Sequence, residues 1–207
     1  MEHKPFVITI VGPESSGKTT LARQLAADIG CPWVPEYARK YLEELGREYN
    51  EDDLSVIAEG QIAAFYEAVS SIQSTIGSQQ SAVFSPQSAV SSIQSAVGNL
   101  QSSVVSRQSS IDNSFLVFHR EDFGDEPRPL VIVDNGMMGM RVWAKLKYNL
   151  EVPLVEEALK EDVTSMYILC RPVLPWEADP LREAPTLLAR AWIYNHFLKE
   201  MFLTQVK

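Results

Sequence analysis

Residues 11–20 read VGPESSGKTT, and within them Gly12, Gly17, Lys18 and Thr19 match the spacing G-x-x-x-x-G-K-[S/T]. Residue types in that order can cradle a chain of phosphates. The glycines let the backbone come close and take positive φ, and successive backbone N–H groups wrap the oxygens. Lys18 would reach the terminal phosphates, and the Thr19 hydroxyl is placed to ligate Mg²⁺. The flanking sequence supplies the setting such a loop needs. FVITIV, Phe6 to Val11, is β-branched and apolar enough for a strand buried on both faces. Leu21, Leu25 and Ile29 then recur at helical spacing up to Gly30, a C-terminal stop. The N-terminus of that helix adds partial positive charge under the phosphates. An ordinary glycine-rich strand-to-helix turn would require neither the lysine nor these periodicities.

Three further stretches carry groups able to do chemistry. Asp134 closes the apolar run Leu130-Val-Ile-Val. A carboxylate at the end of a buried strand can hold Mg²⁺ through its water shell, beside a phosphate loop on the same rim of a parallel sheet. The competing reading is a turn-forming Asp before Asn135-Gly136. Glu36 and Arg39, in VPEYAR, follow a second short strand directly. The carboxylate could accept a proton from a substrate hydroxyl and the guanidinium could bind substrate or phosphate; an N-terminal helix carboxylate and a solvated arginine fit the spacing equally well. CRPVLPWEADPLREAP, Cys170 to Pro185, is rich in proline and charge. With Arg171, Trp176 and Arg182 it reads as a closing lid that delivers cations to a transferring phosphoryl group, or as a plain solvated loop.

The composition bounds the possibilities. The 207 residues suit one domain with a sizeable core, and 45% apolar content is ordinary for a globular protein. A net charge of −9, with no clustered Lys and Arg, argues against a nucleic-acid-binding surface, yet a bound nucleotide needs only one local nest of donors. Cys31 and Cys170 form no metal-ligand spacing and read as small buried hydrophobes, which fits a reducing, cytoplasmic setting. The sequence shows no stretch of signal-peptide type before the first strand and no run long enough to span a bilayer, so the expectation is a soluble chain.

Further along the chain, CPWVP predicts a short strand around Pro32 to Pro35, and Glu36 towards Gly46 a helix. Leu54, Ile57, Ala58, Ile62, Phe65 and Val69 fall on one face of a further helix behind the acidic start Glu51-Asp52-Asp53. Pro129 to Asp134 and Val163 to Cys170 are two more compact apolar strands. Strands alternating with helices predict an α/β fold, a parallel sheet with helices on its faces and ligands at the carboxyl ends of its strands. The middle of the chain breaks that pattern. A Gln-Ser-x-aliphatic unit recurs at Gln73, Gln80, Gln87, Gln94, Gln101 and Gln108, seven residues apart. Two readings fit it. One is a coiled-coil-like helix able to mediate self-association; the other is a disordered Ser/Gln-rich insertion. Pro86 and Arg107 on the seam weaken the first. The expected organisation is a phosphate-binding domain over residues 1–69 and 114–207, interrupted by a heptad-repeat insertion at 70–113.

Taken together, GPESSGKTTLARQLA, VPEYARKYLEELG, the strand ending in Asp134 with VWAKLKY after it, and LCRPVLPWEADPLRE resemble, in order, the nicotinamide riboside kinase domain of the NadR-type proteins, a branch of the P-loop ATPases. The resemblance covers residues 5–69 and 129 to about 200 and none of the repeat. It implies a P-loop kinase sheet and transfer of the ATP γ-phosphate to the ribose 5′-hydroxyl of nicotinamide riboside. It also implies that Gly12, Glu14, Ser15, Ser16, Gly17, Lys18, Thr19 and Thr20 hold ATP and Mg²⁺, that Thr19 and Asp134 face the metal, that Glu36, Tyr37, Arg39, Asp134 and Trp176 face the substrate, and that Arg182 serves the lid, with Lys18, Glu36, Asp134 and Arg182 as the catalytic set. Two departures stand out. The family's Asp-Thr-Asp motif reads Asp134-Asn135-Gly136 here, without its second carboxylate. The sequence also stops at Lys207, where the family continues into another strand and helix, which leaves a sheet edge unfilled and reduced activity expected. The alternative function is an ATP-binding module without kinase activity whose repeat serves assembly.

Overall fold

In the computed structural model, the described residues are 4–76, 115–119, 129–161 and 163–205. Four strands run parallel: β1 (Phe6–Val11), β2 (Trp33–Val34), β4 (Leu130–Asp134) and β5 (Thr164–Cys170). A fifth, β3 (Phe115–His119), pairs antiparallel with β5, giving the sheet order β2-β4-β1-β5-β3. The helices are α1 (Lys18–Ile29), α2 (Tyr37–Leu45), α3 (Glu51–Ile76), α4 (Gly136–Tyr148), α5 (Pro153–Lys160) and α6 (Leu187–Gln205).

Alternation along the strands divides the core between the two faces of the sheet. Phe6, Ile8, Ile10, Leu130, Ile132, Met166 and Ile168 meet Leu21, Ala22, Leu25 and Ile29 of α1. On the opposite face Val11, Tyr167 and Leu169 pack with α3, α4, α5 and α6. Val7, Val131 and Val133 meet Phe65, Ala68, Val69 and Ile72 further along α3. The helical face read from Leu54 to Val69 is thus the buried one, and it spans two clusters. Because β1, β2, β4 and β5 are parallel, Gly12, Pro35, Asn135 and Arg171 all leave the sheet at one rim, where the site forms.

The structure departs from expectation at one place: the edge beside β5 is not open, since β3 occupies it, a strand that the sequence reading does not include. α3 runs to Ile76, into the first residues of the expected insertion at 70–113. Residues 77–114, which hold most of the repeat, lie outside the described residues. Among the described residues, no helix is long and apolar enough to cross a membrane.

α3 begins with a reciprocal cap: Asn50 Oδ1 accepts from the Asp52 N–H at 2.9 Å, and Asp53 Oδ2 accepts from the Asn50 N–H at 2.8 Å. α2 packs on α3 across Gly60, where an added Cβ would lie 2.1 Å from the Tyr37 ring. That ring in turn stacks on Tyr41, with centroids 6.4 Å apart. Gly60→Ala is therefore expected to lower stability by about 1–3 kcal/mol through overpacking. The cost should shrink in the Tyr37→Ala background, because the pair couples through direct contact. Denaturant unfolding of the two single variants and the double variant measures it; simple additivity would show that the ring does not fix the approach of α2.

Candidate functional site

The phosphate loop takes its shape from its glycines and two internal hydrogen bonds. Gly12 has φ +145°, and a Cβ there would stand 2.7 Å from the Cys170 carbonyl oxygen, so only glycine lets the end of β1 run this close to β5. Ser15 and Gly17 also take positive φ, at +51° and +84°. Ser16 Oγ and Lys18 Nζ both donate to the Pro13 carbonyl, at 2.7 and 2.8 Å, so the ammonium lies back across its own loop. No side chain caps α1 at Gly17, which leaves the N–H groups of its first turn open to a ligand. Ser15 through Thr20 line part of a cavity of about 650 Å³.

Asp134 stands beside Ile10 at the same rim and is 1% exposed. Neither of its carboxylate oxygens has a well-formed hydrogen bond, although the Thr19 hydroxyl is near enough to favour the charged form. Burial raises its pKa to about 6, with the Glu36 charge pushing the same way and Lys18 opposing. A buried carboxylate without a partner, beside a threonine hydroxyl and a phosphate loop, suits a hard cation that keeps most of its waters and takes its other ligands from phosphate, which is the habit of Mg²⁺. Among the described residues no group of three or more His, Cys, Asp or Glu forms a dedicated metal cage, and an ion bound in this way needs none.

Glu36 reaches the same cavity from the N-terminus of α2. Asn135 Nδ2 donates to Glu36 Oε1 at 2.6 Å, joining the end of β4 to the start of α2. The backbone around Glu36 is pinned by Gln61, which is 4% exposed: its Oε1 accepts from the Tyr37 N–H at 2.7 Å and its Nε2 donates to the Pro35 carbonyl at 3.2 Å. The cavity is also walled by Arg39 and by an apolar and aromatic set, Leu42, Tyr49, Leu54, Ile57, Met140 and Trp143.

The loop after β5 closes the third side, with Val173, Leu174, Pro175, Glu177, Leu181, Arg182 and Glu183 lining the cavity. Arg39 Nη2 donates to Asp179 Oδ2 at 2.8 Å. Lys147 binds the Glu183 carboxylate and lies 3.8 Å from the centroid of the Tyr49 ring. Burial pushes the Tyr49 phenol up to about 12, so it stays protonated and donates to Glu183 at 3.3 Å. Arg182 Nη1 donates to the Glu177 carbonyl at 2.7 Å, and its guanidinium lies 5.9 Å from the Trp176 ring.

Glu14, Ser15, Ser16, Gly17, Lys18, Thr19, Thr20, Glu36, Arg39 and Arg182 thus converge on one cavity, with Asp134 buried at its edge. Gly12 shapes the loop from beneath. Tyr37 does not reach the cavity wall, because its ring packs between α2 and α3. Trp176 also stands off the wall, where it takes the guanidinium of Arg190 as well as that of Arg182, at 6.0 and 5.9 Å. Three residues join the site that the sequence reading does not single out. Gln61 breaks the apolar stripe of α3 on its buried side, a signal that is legible in the sequence. Asn135 reads there as a turn residue. Arg190, 4% exposed, donates to the Leu174 carbonyl at 2.9 Å and so holds the start of the loop; a lone charge in an otherwise apolar stretch is its only mark.

Known proteins share parts of this sequence and its fold. The profile of a family described as an AAA domain matches residues 7–92, which include the phosphate loop, β2, α2 and α3. No curated protein sequence matches the chain. Two solved structures superpose on nearly all of it. A NadR protein in complex with NR gives a TM-score of 0.57 at 20% identity, covering 97% of this chain and 41% of the other. A NadR protein in complex with NAD and AMP-PNP gives 0.51 at 19%, covering 97% and 42%. The chain spans about two fifths of the length of those proteins. At these identities the likeness is one of fold, and the chain has a P-loop kinase-type α/β fold.

Proposed function

We propose that the protein is an ATP- and Mg²⁺-dependent small-molecule kinase that phosphorylates the ribose 5′-hydroxyl of nicotinamide riboside. The observation that carries this reading is a single cavity lined by two chemically distinct sets of residues: a phosphate loop with Lys18 and Thr19, next to the buried Asp134, and an apolar, aromatic set with Trp143 and Tyr49, with Glu36 in the same lining. The ligands held by the two NadR structures, NR in one and NAD with AMP-PNP in the other, match those two sets in kind.

Each group then has a role. The acceptor hydroxyl oxygen attacks the γ-phosphorus, the bond to the β-bridging oxygen breaks, and ADP leaves. Glu36 takes the hydroxyl proton, oriented by Asn135 and by the backbone that Gln61 pins. Lys18 leaves the Pro13 carbonyl to follow the transferred phosphoryl group, and Arg182 supplies a second cation from the loop. Thr19 and Asp134 would hold Mg²⁺, which when bound neutralises charge developing on the phosphates. The loop from Val173 to Glu183 keeps water from the cavity.

A second reading has a specific observation behind it. Gly136, with φ +54°, supplies no carboxylate where the resembled motif ends in Asp, which favours an ATP-binding module whose repeat at 70–113 serves self-association. A screen of ADP release with nicotinamide riboside, deoxynucleosides and other small alcohols separates the two. Turnover that depends on nicotinamide riboside is expected; ATP binding without ADP release for any acceptor would favour the module. Turnover faster with a deoxynucleoside would keep the kinase and overturn the acceptor.

A further inference from the structure

A carboxylate inside a phosphate-binding loop is out of place, because it repels the phosphates the loop is built to hold. Glu14 is such a residue, and its side chain turns to the loop after β5. Glu14 Oε2 accepts from the backbone N–H groups of Glu183 and Ala184, both at 2.9 Å, and Oε1 accepts from the Glu183 N–H at 3.0 Å. The neighbouring Ser15 Oγ accepts from the Glu177 N–H at 3.4 Å. These bonds join residues about 170 positions apart, so no local turn dictates them. Burial raises the Glu14 carboxyl, while the two amides, and then Lys18, favour its charge.

The segment that Glu14 holds also touches other walls of the cavity. Asp179 pairs with Arg39 on α2, and the Glu183 side chain pairs with Lys147 on α4 and with Tyr49 ahead of α3. Residues 179–184 therefore form a strap that is fastened to the phosphate loop on one side and to the acceptor walls on the other. We infer that Glu14 is a positioning residue that latches this strap, so that the phosphate loop and the acceptor end close as one unit and the γ-phosphoryl group goes to the bound alcohol in preference to water. The transfer half of this statement rests on the kinase reading above; the latch itself rests on geometry alone.

Two variants and two readouts test it. Glu14→Gln keeps an oxygen able to accept from both amides but removes the charge; Glu14→Ala removes the acceptor. In Glu14→Ala, hydrogen exchange of the Glu183 and Ala184 amides should accelerate by about tenfold or more, as expected when an amide loses a charged acceptor, while exchange in the β1 and β4 core stays as in the unsubstituted protein. In Glu14→Gln both amides should keep most of their protection. The same order is expected in the acceptor KM and in ATP hydrolysis to ADP and phosphate without acceptor: Glu14→Ala raises both by about tenfold, and Glu14→Gln recovers most of the loss. Unchanged exchange in Glu14→Ala would overturn the latch. Equal effects of Gln and Ala would overturn it too, by showing that Glu14 acts through its charge. The exchange measurement needs no turnover, so it decides the latch even if the kinase reading fails.

Discussion

Lys18→Ala is expected to lower kcat for phosphoryl transfer by at least about 10³-fold, the scale on which removing one preorganised donor from developing charge acts. The physical basis is the position of the ammonium. Lys18 opens α1 directly after Gly17, and in the structure its Nζ is held by a single neutral acceptor, the Pro13 carbonyl at 2.8 Å. A neutral carbonyl is a weak competitor for a cation once a triphosphate arrives, so the ammonium can be handed over at small cost. The same weakness makes the substitution gentle on the fold. Lys18 is half-buried, makes no ion pair among those seen in the described residues, and lies outside the core clusters, so unfolding free energy should change by no more than about 1 kcal/mol. Measuring ADP production with nicotinamide riboside together with thermal unfolding separates chemistry from stability. An unchanged rate in a folded variant would remove the phosphate loop from the mechanism.

Ser16, by contrast, serves the loop's own shape through its bond to Pro13, and its consequence is indirect. This difference between neighbours marks how far the sequence can be read. The strand, turn and helix around Gly12 are encoded locally: an apolar β-branched run, then glycines, then periodicity near four, all between Phe6 and Ile29. The strands at Trp33, Leu130 and Thr164 are legible for the same reason, as short apolar runs with punctuation at their ends. What is not legible depends on pairing across long separations. β3 follows the turn-forming residues Asp112-Asn113-Ser114, but nothing local to it marks β5 as the strand it pairs with. The Glu14 contacts to residues 183 and 184 likewise have no local trace in sequence.

The candidate site divides along the same line. The rule that parallel strands end together places Glu36, Arg39 and Asp134 at one rim, and the structure puts them there. Tyr37 follows Glu36 into the expected set through the resemblance, but adjacent residues at a helix start point in different directions, and Gly60 opens a slot that the Tyr37 ring fills. Trp176 is expected to face the substrate from the lid, whereas two guanidiniums lie within about 6 Å of its ring, which makes it part of the loop's framework. Gln61 shows the reverse case. Its polarity on a buried helical face requires partners, and the partners are the backbone groups on either side of Glu36.

Glu36→Gln should lower kcat by about 10²–10⁴-fold while leaving ATP affinity within a few-fold, since it removes a proton acceptor without disturbing the phosphate loop. The substitution is nearly isosteric, and its surroundings accept it. Asn135 Nδ2 can still donate to the remaining oxygen. Gln61 holds Pro35 and Tyr37 by their backbone groups, so the start of α2 keeps its position. A structural role for Glu36 therefore predicts little effect from Gln and a large one from Ala, whereas a proton-accepting role predicts that Gln is nearly as damaging as Ala. Removing the charge also lightens the load on Asp134, whose carboxyl Glu36 pushes upward, so any loss of activity runs against an easier environment for that neighbour. Single-turnover transfer to nicotinamide riboside, with ATP affinity measured separately, makes the distinction. A Glu36→Gln variant that transfers phosphate at the unsubstituted rate would pass the proton to another group, and the junction of β4 with α2 would then position the acceptor without taking part in the chemistry.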